Sequence, residues 1–81
     1  MNVKLTKVYR DDIEGGLRTP SVEGETFELP KVGNSFKMIA KPLYSGNMRY
    51  IETSLVREVV ILNNIYTITT ENNSIYTIEI L

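Results

Sequence analysis

Apolar and polar residues alternate along this chain in short runs, and no window repeats apolar positions at the three-to-four spacing of an amphipathic helix. The runs are rich in β-branched and aromatic residues, and Gly, Pro, Asn and Ser separate them, which predicts strands joined by tight turns. A first strand is expected over residues 2–10, with Val3, Leu5 and Tyr9 on one side and Thr6 and Val8 on the other. Gly15-Gly16 then marks a turn over 11–16, and residues 17–25, which hold Pro20 and Gly24, read as a surface loop. A short strand over 26–29 should stop at Pro30, which has no N–H for a ladder. Residues 30–36 make a tight connection into a strand over 35–41, where Phe36, Met38 and Ala40 alternate with Lys37, Ile39 and Lys41. After a turn at 42–47, residues 48–62 form one long β-prone stretch with a bend expected at Thr53-Ser54.

The C-terminal stretch "IYTITTENNSIYTIEI" states nearly the same phrase twice. Asn63-Asn64 suits a two-residue hairpin turn, because asparagine tolerates left-handed φ; that turn pairs Leu62 with Ile65, Ile61 with Tyr66 and Val59 with Ile68. For the next hairpin a two- or four-residue loop would bring Glu79 opposite Tyr66 and break the apolar face. A three-residue loop, Asn72-Asn73-Ser74, with type I geometry and a left-handed last residue, is therefore expected. It puts Ile68 opposite Ile78, Tyr66 opposite Ile80 and Thr70 opposite Tyr76. Val59, Ile61, Tyr66, Ile68, Tyr76, Ile78 and Ile80 then share one face, and Val60, Leu62, Ile65, Thr67, Thr69, Thr77 and Glu79 the other. The repeat is two strands obeying one facing rule. The fold expected is all-β: a small SH3-like barrel or curled antiparallel sheet of five to six strands, ending in a three-stranded meander.

Composition narrows the chemistry. Eighty-one residues, 42% of them apolar, form one domain over 1–81 near the lower size limit for a self-sufficient core. With no cysteine and no histidine, neither a Ser-His-Asp nor a Cys-His arrangement can be built, and no disulfide or thiolate metal site exists. Asp11, Asp12 and Glu14 sit beside glycines without the alternating oxygen ligands of a calcium loop, and no glycine pattern cradles phosphate. A non-enzyme without a cofactor is expected. No apolar run spans a bilayer and the N-terminus lacks a secretion signal, which points to the cytoplasm. Net charge is −1, with cations gathered in residues 1–10 and 29–57. These segments would make one basic face for nucleic acid only if their strands were neighbours, so a nucleic-acid partner is not favoured.

Two surfaces remain as candidates. Arg49, Tyr50, Thr53 and Ser54 combine a guanidinium fork with two hydroxyls and a ring that can stack, which suits a phosphorylated ligand. The bland alternative pairs Arg49 with Glu52 and leaves Thr53-Ser54 to stabilise a bulge. Thr67, Thr69 and Thr77 form a neutral hydroxyl face that suits a ligand or a partner, although threonine is also a common residue on solvated strands.

The stretches "MNVKLTKVYR", "ELPKVGNSFKM", "RYIETSLVREVV" and "YTITTENNSIYTIEIL" together resemble short β-rich proteins encoded by phages, prophages and other bacterial mobile elements. The resemblance carries no functional residues with it. It implies a context: a binder that blunts host defence, by sequestering a nucleotide-derived immune signal of the cyclic ADP-ribose or cyclic nucleotide type between the protomers of a homo-oligomer. The alternative it leaves open is an interaction module that inhibits a host defence protein directly, through a sheet edge or face, or a small nucleic-acid-associated regulator.

Overall fold

The computed structural model describes residues 1–9, 21–40 and 49–81. Every regular element among them is a strand: β1 (Asn2–Tyr9), β2 (Ser21–Glu25), β3 (Ser35–Ala40), β4 (Arg49–Leu62), β5 (Ile65–Thr70) and β6 (Ile75–Ile80). They form an antiparallel meander closed into a barrel by pairing of β1 with β6. The expected turns over 11–16 and 42–47 lie outside the described residues.

Alternation along each strand sends one set of side chains inward. Val3, Leu5, Val22, Phe36, Met38, Ala40, Val56, Ile68 and Ile78 form the buried core, and Ile51, Val59, Tyr66, Tyr76 and Ile80 pack against its rim. Each fully buried aliphatic contributes roughly 1.5–3 kcal/mol relative to exposure, so this inward set fixes the facing of every strand. The facing expected for Val3, Leu5 and Val8 of β1 and for β3 holds, with Val3, Leu5, Phe36, Met38 and Ala40 buried and Val8 exposed; the Tyr9 side chain lies outside the described residues.

β4 serves two neighbours in succession. Its first half pairs with β3 and its second half with β5, and the register slips where the strand changes partner. One slip lies at the expected bend: Ser35 pairs with Leu55 but Lys37 with Glu52. There Phe36 N donates to Thr53 Oγ1 at 3.0 Å, and Thr53 Oγ1 donates to the Ser54 carbonyl at 2.8 Å.

The β4–β5 register is the expected one, Leu62 with Ile65, Ile61 with Tyr66 and Val59 with Ile68, turning on Asn63 at φ 56°. The β5–β6 register differs by two residues. Tyr66 pairs with Ile78 and Ile68 with Tyr76, and Thr70 meets Ser74 instead of Tyr76. The loop does have three residues, but they are Glu71-Asn72-Asn73, with Asn73 left-handed at φ 65°. Asparagine takes that conformation more readily than serine, and Ser74 is buried with its amide on Asn72 Oδ1 at 3.3 Å. Thr70 N donates to the Ser74 carbonyl at 3.0 Å and Asn73 N to the Thr70 carbonyl at 2.9 Å, which closes the turn one residue early. A slip of two keeps parity, so the two faces contain the residues expected. Ile61 is the exception to burial at 59% exposed, because it lies past the end of the packed interior.

Two further expectations are corrected. Residues 21–25 are a strand, not part of a loop. Val22 and Gly24 point inward there, and Gly24 is where β3 crosses closest. Residues 26–29 are not a strand. Thr26 turns its hydroxyl onto the Lys37 and Glu28 carbonyls at 2.7 and 2.9 Å, which takes the chain out of the β2–β3 ladder. Among the described residues the ladder has two pairs, Gly24 with Ala40 and Glu25 with Ile39.

Candidate functional site

That early departure of the chain from β2 shapes a groove among the described residues. Phe36 N points at β4, so the alternation of an extended strand turns the backbone of Ser35 and Lys37 the other way, toward residues 26–29. In place of a neighbouring strand, this part of β3 faces a groove of about 560 Å³. Its walls are Thr26, Phe27, Glu28 and Leu29 on one side and Ser35, Phe36, Lys37 and Leu55 on the other, with Lys31, Gly33 and Asn34 at one end.

Local chemistry holds the walls in place. Thr26 is 3% exposed and its hydroxyl ties the 26–29 segment to β3. Residues 31–34 form a turn in which Asn34 N donates to the Lys31 carbonyl at 3.2 Å, with Gly33 at φ 94°. A positive φ at the third position is what a type II turn requires of glycine. Gly33 N and Val56 N then bond the Val56 and Asn34 carbonyls at 2.9 Å each, so the turn is anchored on β4.

On this rigid frame the side chains are unusually available. Phe27 is 90% exposed, and Leu55 and Leu29 also show apolar surface. Lys31 and Lys37 are exposed beside them; Glu28 is the carboxylate among the lining residues, and Glu52 stands opposite Lys37 on β4. The backbone amides at Gly33 and Asn34 are already committed, so this turn does not offer them to a phosphate. The groove offers apolar anchors, a strand edge and two exposed cations.

The residues singled out from the sequence fall elsewhere. Arg49 and Ile51 pair with Ala40 and Met38 and share their inward face with buried Thr53. Tyr50 and Ser54 project outward; Tyr50 is 62% exposed and its hydroxyl donates to Glu52 Oε1 at 3.3 Å. The four therefore divide between two faces of β4, and the Thr53 hydroxyl is engaged in the bulge. Arg49 Nε is buried and has no hydrogen-bond partner among the described residues.

Thr67, Thr69 and Thr77 do share the outer face, half-buried, with Thr67 directly opposite Thr77. The row continues through Thr6 to Ser21, whose hydroxyls meet at 2.8 Å. The sequence reading missed Thr6 and Ser21 because the row exists only once β1 has closed against both β6 and β2. It also missed Phe27, Leu29, Lys31, Lys37 and Leu55 as a group. Their sequence signal was the Pro-x-x-Gly-x-Ser-Phe turn, which brings residues 26–29 back alongside β3.

β1 pairs with β2 and β6, not with β3 or β4, so the cationic segments do not lie on neighbouring strands. No helix among the described residues is long and apolar enough to cross a membrane. Comparisons with family models, curated proteins and solved structures returned no match.

Proposed function

We propose that this protein is a non-enzymatic interaction module that holds an extended, acidic segment of a partner protein in the groove beside β3. The observation that carries this reading is Phe27, 90% exposed over a strand edge and flanked by Lys31 and Lys37. An extended peptide lying along Ser35–Lys37 would use main-chain hydrogen bonds for affinity. Alternate side chains would then meet Phe27, Leu29 and Leu55, and carboxylates would meet the lysines. The resemblance to phage and mobile-element proteins suggests a host defence protein as the partner.

The test is a fluorescence-anisotropy titration with two blocked peptides, one alternating glutamate with valine and one alternating lysine with valine. The acidic peptide should bind in the range of tens to hundreds of micromolar, about −5 to −6 kcal/mol, and the basic one at least tenfold more weakly. Lys37→Glu should cut acidic-peptide affinity about tenfold and raise that of the basic peptide. Equal affinity for the two peptides, or no binding near millimolar concentration, would count against the reading.

Capture of a nucleotide-derived signal is a second reading, favoured by the unpartnered Nε of Arg49. Under it a phosphate would engage Arg49 between protomers. Mass spectrometry of the supernatant after heat denaturation should then recover a retained cyclic ADP-ribose or cyclic oligonucleotide, and Arg49→Ala should abolish retention. A wild-type protein that retains none of them eliminates it.

A further inference from the structure

The second half of β4 has a strand on only one side. β3 pairs with β4 no further than Leu55, whereas β5 accompanies it from Val56 to Leu62. Beyond Val56 no strand among the described residues lies on the other flank. The two-residue turn makes Leu62 and Ile65 the closing hydrogen-bonded pair, so Val60 also points its backbone at β5. Val59 and Ile61 therefore turn their N–H and C=O groups outward, along a free edge.

Such an edge is a template for strand addition, and proteins commonly guard it with charge, proline or a covering segment. Among the described residues none of those lies along this edge. Residues 59–70 contain no charged residue and no proline. Side chains around the edge are exposed and apolar: Val60 at 55%, Ile61 at 59%, Leu62 at 71% and Ile65 at 40%. They present on the order of 400 Å² of apolar surface, about half of one partner's share in a standard interface, and the edge backbone adds to it.

We infer that this edge pairs with the same edge of a second copy of the chain, antiparallel about a two-fold axis near Val60. Such a contact is self-complementary: Val59 of one copy stands opposite Ile61 of the other, and each outward-facing N–H meets a C=O. No like charges oppose each other, since the nearest charges, Arg57 and Glu58, lie outside the paired run. The closed side of the barrel cannot do this, because β5, β6 and β1 have two neighbours each. The dimer leaves the groove beside β3 open in both copies and does not depend on what binds there.

Sedimentation velocity from micromolar to about millimolar protein tests it. Wild type should pass from monomer to dimer across that range. Val60→Lys, on an exposed position, should weaken dimerisation at least tenfold, as should Ile61→Pro, which removes an outward N–H and none on the β5 side. Hydrogen exchange on the wild-type protein covers the case of a variant that folds poorly. The Val59 and Ile61 amides should slow with concentration while the Val60 amide, already bonded to β5, stays constant. A monomer throughout, or a dimer whose Val59 and Ile61 amides are indifferent to concentration, overturns the inference, whether the edge then serves another protein or none.

Discussion

At the residue scale, the turn after β5 shows how a single backbone conformation decides a register. Asn72 and Asn73 divide the work: Asn72 Oδ1 accepts from Thr70 Oγ1 at 2.6 Å, and Asn73 takes the left-handed position. Placing that position at Asn73 instead of Ser74 moves every β5–β6 pair by two residues and changes no side chain's face. Asn73→Gly should leave stability unchanged or slightly higher, because glycine meets φ 65° without a Cβ clash. Asn73→Val should cost about 1–2 kcal/mol, the penalty of a branched residue in left-handed backbone. Urea denaturation of both variants reads the difference. A similar loss from both substitutions would mean that the asparagine side chain, not its φ, holds the turn.

At the scale of elements, what was legible depended on whether the information was local. The β4–β5 hairpin could be paired residue by residue from Asn63-Asn64 and the apolar pattern alone. The bend at Thr53-Ser54 could be seen too, since two small hydroxylated residues interrupt a long β-prone run. β2 could not. Pro20 and Gly24 read locally as loop, yet Gly24 is glycine because the β3 backbone crosses it: a Cβ there would meet the Ile39 carbonyl oxygen, with Ala40 Cα at 2.7 Å and Ile39 C at 2.9 Å. That crowding is tertiary and leaves no periodic trace. Gly24→Ala should destabilise by about 1–3 kcal/mol through forced displacement of β3. Because the described part of the β2–β3 ladder has two pairs against five between β5 and β6, exchange of the Glu25 and Ile39 amides should accelerate beyond that of the β5–β6 amides. Uniform acceleration across the barrel would show that the seam does not open by itself.

For the whole molecule, the closed meander explains both how so small a chain is held together and where it is left open. Closure of β1 on β6 protects most strand edges, and among the described residues it leaves less protected the short β2–β3 ladder and the end of β4. The first yields a groove with an exposed phenyl ring and two cations; the second yields an uncharged edge suited to its own copy. Neither belongs to the Arg49, Tyr50, Thr53 and Ser54 set that the sequence suggested, because strand alternation splits that set between an inward and an outward face. A dimer would carry two grooves on one rigid frame and gain avidity for a partner that repeats its acidic segment. Chemical-shift mapping of the isotopically labelled protein with the glutamate–valine peptide tests the groove most directly. The expected result is saturable shifts centred on Phe27, Lys31, Ser35, Lys37 and Leu55, with Thr67, Thr77 and Arg49 still. Shifts centred on Arg49 and Tyr50, or on the threonine face, with Phe27 and Lys37 unmoved, would contradict it.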